Sequence, residues 1–119
     1  MTENELKHRT KQFALRVISL VEALPNTTAA RAIGGQLVRS GTSVGANYRA
    51  ACRGRSRAEF VSKLGTVEEE ADESCYWMEL VIEGGLLTED RVRPLHQETN
   101  ELTAIFASSI KSARRKTSE

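Results

Sequence analysis

The chain has 119 residues, which is the size of one domain and too short to divide into two with separate cores. Apolar residues make up 39% of the sequence and charged residues 28%, a balance typical of a globular protein rather than a disordered or membrane one. Because no apolar stretch approaches the ~20 residues that a bilayer crossing needs and the N-terminal segment is polar, we expect one cytoplasmic domain over residues 1–119.

The net charge of +1 hides a segregation of charge along the chain. Residues 1–57 carry ten basic and three acidic side chains, whereas residues 58–110 carry three basic and twelve acidic ones. Residues 111–119 return to four basic and one acidic. Such blocks of one sign favour an electrostatic role at the positions that collect the basic residues.

Apolar residues recur at helical spacing in four segments of the chain. They predict helices at approximately 4–24, 28–54, 56–84 and 89–116. Pro25 ends the first segment, Ser56 and Glu59 form a capping box at the start of the third, and Gly84 with Gly85 ends it. Because the connections are short, sequence neighbours must lie antiparallel, and the expected fold is an all-α, antiparallel up-down-up-down four-helix bundle.

The second predicted helix is unusually rich in glycine, with Gly34, Gly35, Gly41 and Gly45. Each glycine costs about 1 kcal/mol relative to alanine inside a helix. We therefore predict close packing against another helix or another subunit, with a helix broken at residues 40–41 as the alternative.

Residues 36–80 carry a specific combination of Arg39-Ser40, Ser43, Ala46-Asn47 and the stretch from Glu70 to Trp77. This segment resembles the bacterial four-helix-bundle proteins related to the 23S rRNA intervening-sequence protein. The resemblance implies a left-handed bundle that often assembles into a ring-like homopentamer, and most such proteins have no established activity. One distant relative, the accessory protein of diversity-generating retroelements, binds RNA and a reverse transcriptase through a basic surface, which is an analogy of fold.

In an up-down bundle the starts of the first and third helices and the ends of the second and fourth lie at the same end, which we call the basic pole. Its candidate nucleic-acid-binding residues are Arg49, Arg53, Arg55, Arg57, Lys111, Arg114, Arg115 and Lys116. The first helix adds Lys7, Arg9 and Lys11. Repeated on several subunits, this pole predicts a non-enzymatic homo-oligomer that binds RNA or DNA. The alternative is a structural scaffold or protein-interaction module with no nucleic-acid ligand.

We predict no catalytic site, no metal site and no cofactor. The histidines do not supply the two Glu-x-x-His pairs that a di-iron bundle requires. Arg91 and His96 have the spacing of a helical ribonuclease motif, but a proline interrupts the segment that would present them, so a ribonuclease is the less favoured hypothesis.

Three further expectations concern packing. Because the second and third helices are expected to run antiparallel from a turn near Arg55, Arg39 should lie level with residue 71. This position predicts a structural ion pair with Glu70 or Glu73, and removing one partner should cost a few kcal/mol. The same antiparallel arrangement separates the cysteines by about 25 Å and predicts free thiols. Extra apolar bulk at residues 76, 77 and 80 predicts oligomerisation.

Overall fold

The computed structural model describes residues 1–118, with side chains through Arg115, as four antiparallel helices. The helices are α1 (Glu3–Glu22), α2 (Thr28–Cys52), α3 (Arg57–Glu83) and α4 (Glu89–Ser118). The predicted all-α four-helix bundle is confirmed, and each helix begins and ends within two residues of its predicted bounds. None of these helices, over the residues described, is long and apolar enough to cross a membrane.

Side-chain caps fix where the first three helices begin. Thr2, Thr27 and Ser56 each accept a hydrogen bond from a backbone N–H three residues later, at 3.1 Å. The predicted capping box is present in a shifted form, because the Glu59 carboxylate accepts from the N–H of Arg55, at 3.1 Å, rather than from that of Ser56. These bonds satisfy amides that the helices cannot pair internally.

The end of α3 is a Schellman motif. Gly85 has φ of 70°, a left-handed conformation that glycine adopts without strain. The N–H of Leu86 donates to the carbonyl of Val81 at 2.9 Å, and that of Gly85 donates to Ile82 at 3.0 Å. The glycine pair therefore ends the helix as predicted.

Each helix packs on its sequence neighbours, and α4 closes the bundle against α1. In the diagonal pairs, α1 with α3 and α2 with α4, no Cα atoms of the described residues come within 8 Å of each other, although the rings of Tyr48 and Phe106 meet in the core with their centroids 5.8 Å apart. The bundle measures 51 × 21 × 20 Å, and its long core contains Phe13, Leu37, Leu64, Met78 and Phe106, all 1% exposed or less.

Glycines of α2 bring that helix close to α1. A Cβ at Gly41 would lie 2.8 Å from both γ-carbons of Val17, and one at Gly45 would lie 3.2 Å from the Thr10 hydroxyl oxygen. Gly34 is also buried against α1, whereas Gly35 faces open space. The predicted close packing is thus between helices of one chain, and α2 runs unbroken through Gly41.

Candidate nucleic-acid interface

The four helix ends named above meet around the first turn of α3. Glu3 of α1, Cys52 of α2 and Arg57 of α3 line one shallow cleft. Arg57 lines a second cleft together with Ser109 and Ser112 of α4. The basic pole is therefore one continuous surface in three dimensions.

The predicted pole residues reach solvent. Their side chains are exposed at seven positions, Arg49, Arg53, Arg55, Arg57, Lys111, Arg114 and Arg115. The eighth predicted residue, Lys116, has a side chain that lies outside the described part of the structure. Six of the seven form no ion pair with any carboxylate in the part of the chain described, namely Arg49, Arg53, Arg55, Arg57, Lys111 and Arg115. These cations are available to an external anion.

Helix dipoles divide the pole residues into two groups. Arg49 and Arg115 lie in the last turns of α2 and α4, where a cation offsets the partial negative charge of the helix terminus. Arg55 and Arg57 flank the start of α3, where the helix terminus is itself partially positive. The helix terminus therefore adds to the positive charge of Arg55 and Arg57 at the first turn of α3, between the two clefts.

Two acidic residues of the pole, Glu3 and Glu59, are engaged within the bundle, whereas Glu5 is exposed at the start of α1. Glu3 pairs with Lys7 at 3.7 Å, and Glu59 caps α3 through the N–H of Arg55. Lys7 is thus partly neutralised, and it contributes less to the pole than the sequence suggested.

Arg9, which was assigned to the basic pole from the sequence, is paired with carboxylates of α4 and is not a free cation of the pole. Its guanidinium donates two hydrogen bonds to Glu98, at 2.8 and 2.7 Å, and one to Glu101 at 3.2 Å. The bond to Glu98 is the main factor that raises the pKa of Arg9. The signal in the sequence for this contact was the opposite charge of residues at matching heights of α1 and α4. These two helices become neighbours only when the bundle closes.

Arg39 lies beside both of its predicted partners. Its Nη1 is 3.1 Å from Oε2 of Glu70, its Nη2 pairs with Glu73, and its Nε donates to Gln36 at 3.1 Å. The Arg39 side chain is 46% exposed, so the pair lies at the surface rather than at a desolvated edge of the core. The expected cost of a few kcal/mol for losing one partner is therefore too large.

The structure separates the two residues of the ribonuclease hypothesis. Arg91 lines a groove between α4 and α1, next to Pro94 and Arg16. His96 lies on the α3 side, where its Nε2 is 3.0 Å from Oε2 of Glu79. Since the groups are held at different faces of α4, they do not form a common catalytic centre.

Both cysteines are free thiols. Cys75 is buried and donates a hydrogen bond to Oδ1 of Asn100 at 3.3 Å. Burial raises the pKa of the Cys75 thiol to about 11, with Asp72 and Glu79 adding to the shift. Burial also raises the pKa of Cys52. Neither group has the lowered pKa of a catalytic nucleophile.

A buried polar contact between α2 and α3 was missed from the sequence. The hydroxyls of Ser40 and Ser74 are 2.8 Å apart, and both side chains are fully buried. The signal in the sequence for this contact was a serine within the apolar stripe of each of the two helices. Over the residues described, no group of three or more His, Cys, Asp or Glu side chains is placed to hold a metal ion.

Comparison with known proteins identifies the family of this bundle. The model of the family described as 23S rRNA-intervening sequence protein matches residues 2–108. The chain belongs to this family. A crystal structure of a protein of unknown function from the S23 ribosomal protein family of Bacteroides thetaiotaomicron is similar in fold, with a TM-score of 0.86 and 35% identity. That likeness covers 93% of this chain and 99% of the other. No curated protein matches the chain.

Proposed function

We propose that this chain is a non-enzymatic, homo-oligomeric, cytoplasmic bundle protein that binds nucleic acid, RNA in particular, through its basic pole. The observation that carries the proposal is the cluster of exposed cations around the first turn of α3, six of which have no carboxylate partner among the described residues. Counter-ion release drives the binding of such clusters to a phosphate backbone.

The clefts beside α3 supply hydrogen-bond donors in addition to charge. Arg57 borders both clefts, and the hydroxyls of Ser108, Ser109 and Ser112 line the second. Arginine and serine side chains are common ligands of backbone phosphates, which position a nucleic acid without reading its sequence. Membership in a family whose description refers to 23S rRNA supports RNA over DNA as the ligand.

A titration by fluorescence anisotropy tests the proposal. Labelled single-stranded RNA, an RNA hairpin and a DNA duplex of equal length are titrated with protein at about 50 and 200 mM salt. We expect binding at low salt that weakens steeply at the higher concentration. The triple variant Arg53→Ala, Arg55→Ala, Arg57→Ala should lose at least about tenfold in affinity, and the slope of log K against log salt should decrease by roughly 2–3.

The matched control removes three cations from the opposite end of the bundle, with Arg31→Ala, Arg91→Ala and Arg93→Ala. The two triple variants have the same net charge, so a difference in affinity isolates the position of the charge. If the wild-type protein binds none of the three probes at low salt, the basic pole is not a nucleic-acid site and the scaffold hypothesis takes its place.

A further inference from the structure

One aromatic side chain lies within the basic pole. Phe60 is one turn into α3, and it packs against the core with part of its side chain exposed. Two other aromatic residues of α3, Tyr76 and Trp77, are about 24 Å or more further along the helix. The rest are buried in the core, namely Phe13, Tyr48 and Phe106. Among the described residues, Phe60 is therefore the only aromatic side chain that the pole presents to a ligand.

A cation lies beside Phe60. Arg57 is three residues earlier on α3, so the two side chains lie on the same face of the helix. Both residues line the two clefts of the pole, the first next to Cys52 of α2 and the second next to Ser109 of α4. Arg57 has no carboxylate partner among the described residues. An aromatic ring and an available guanidinium are thus adjacent at the border of both clefts.

The second cleft adds hydroxyl groups to this pair. Its α4 side is lined by Ser108, Ser109 and Ser112. Other hydroxyls of the bundle, such as that of Thr99, donate to a carbonyl four residues earlier in their own helix. The hydroxyls of the three cleft serines form no hydrogen bond with another residue in the described part of the chain. They can therefore donate to a ligand and accept from it.

The second cleft has room for one planar group. Its volume is about 400 Å³, near the lower end of the ~300–1,000 Å³ that small-molecule pockets occupy. In a single strand of RNA, bases splay out of the chain and stack on aromatic side chains, with their edges free for hydrogen bonds. In a duplex the faces of the bases are covered by their neighbours. The cleft therefore suits an unpaired base, whereas a duplex reaches only the cations of the pole.

We propose that the ring of Phe60 stacks on an unpaired base of single-stranded RNA in the second cleft. Arg57 binds a neighbouring phosphate, and the serine hydroxyls of α4 meet the edge of the base or the 2′-hydroxyl of its ribose. This inference rests on the proposed function of the basic pole and names its ligand as single-stranded RNA rather than a duplex. Stacking is separate from charge, so it adds affinity that salt does not remove.

Replacing the ring without changing the charge tests this inference. Phe60→Leu keeps an apolar side chain against the core and removes the aromatic surface. By fluorescence anisotropy, we expect its affinity for a labelled single-stranded RNA of about 12 nucleotides to fall at least about fivefold. Its affinity for an RNA duplex of the same length should change by less than about twofold. The slope of log K against log salt should stay that of the wild type, because no cation is lost.

The matched control keeps the ring. Phe60→Tyr retains an aromatic face at the same position, and its affinity for the single-stranded RNA should stay within about twofold of the wild type. Far-UV circular dichroism checks that both variants remain helical. If the tyrosine variant lost as much affinity as the leucine variant while both stayed folded, stacking on this ring would be refuted.

A fluorescent ring at the same position gives a second measurement, which also decides the question if Phe60→Leu does not fold. In Phe60→Trp the indole replaces the phenyl ring, and a base stacked on it quenches its fluorescence. We expect quenching on addition of the single-stranded RNA and little on addition of the duplex. The wild type is the control, because its Trp77 lies about 25 Å from position 60 along α3 and should change little.

The outcomes separate this inference from the proposed function. Wild-type protein that binds neither RNA at low salt would contradict the proposed function itself. Wild-type protein that binds RNA, together with a folded Phe60→Leu that keeps its affinity for the single strand, would refute stacking and leave the cations as the binding site. An equal loss of affinity for single strand and duplex would also overturn the inference, because Phe60 would then support the shape of the pole rather than contact a base.

Discussion

At the residue scale, two arginines hold carboxylates on a neighbouring helix, and their burial differs. Arg9 makes a two-bond contact with Glu98, with 26% and 17% of the two side chains exposed. Arg39 is 46% exposed beside Glu70 and Glu73. Solvent screens the second contact more strongly, so it stabilises the bundle less.

We predict that Arg39→Ala couples to alanine at Glu70 or Glu73 by about 0.2–1 kcal/mol in double-mutant cycles measured by urea unfolding. Arg9→Ala should cost more, about 1–3 kcal/mol, because charge-assisted hydrogen bonds to a mostly buried carboxylate are lost. The unpaired Arg49→Ala is the control and should change stability by less than about 0.5 kcal/mol. A larger cost at Arg39 than at Arg9 would contradict this order.

Cys75 should be nearly inert to alkylation in the folded protein. Its pKa of about 11, raised by burial, leaves about a hundredfold less thiolate at pH 8 than an ordinary thiol has. In a Cys52→Ala variant, where Cys75 is the only thiol, iodoacetamide should react at least about a hundredfold more slowly than in urea. The rate should rise about tenfold per pH unit up to about pH 11, where the thiol becomes half ionised. Equal rates in the folded and urea-denatured states would show that Cys75 is not buried.

At the element scale, two glycines of α2 offer a matched comparison. Alanine at Gly35 would meet no atom within 4 Å, whereas a Cβ at Gly41 would lie 2.8 Å from two carbons of Val17. We predict that Gly35→Ala stabilises the protein by about 0.5–1 kcal/mol, since alanine is the better helix former. Gly41→Ala should destabilise it by about 1–3 kcal/mol because α1 must move away. Thermal unfolding measures both, and a stabilising Gly41→Ala would mean that the helices are not in close contact.

The elements of this fold could be predicted because their signals are local. Apolar spacing and the residues Pro25, Ser56 and Gly85 fixed the helix ends to within two residues. The sequence could not show which helix packs against the glycines of α2. Gly34 and Gly35 look alike in sequence, and they differ only in that Gly34 lies on the side of α2 that faces α1. The sequence also does not show how exposed a side chain is. Arg39 was placed correctly beside its partners, but it was expected to be more buried than it is.

At the scale of the whole molecule, antiparallel topology turns a segregation of charge along the chain into a segregation in space. Basic segments near residues 49–57 and 111–115 are far apart in sequence and meet at one end of the bundle. The topology also places α1 and α3 on a diagonal, so the exposed Lys11 and Arg16 of α1 lie on the opposite side of the bundle from the exposed Glu69 and Asp72 of α3. The sequence indicated the basic pole because the pole depends only on helix order, whereas the charge on each side of the bundle depends on which residues point outward.

Assembly should strengthen nucleic-acid binding without changing the basic pole. Tyr76 belongs to the apolar bulk that predicts oligomerisation, and it lies on α3 more than about 20 Å from the first turn of that helix. Tyr76→Ala should therefore weaken subunit contacts while it leaves the pole cations in place. We predict that such a variant, once light scattering shows it to be a single chain, binds a long single-stranded RNA at least about tenfold more weakly than the wild type, because several poles on one assembly act as a multivalent site. For an RNA short enough to span a single pole, the difference should fall to about twofold, the level expected when linkage between sites is lost. Anisotropy titrations with RNAs of increasing length measure this, with Gln97→Glu, at an exposed position of α4, as the control variant. If the affinity gap between the variant and the wild type did not change with RNA length, the poles would be binding independently, and assembly would have no part in recognition.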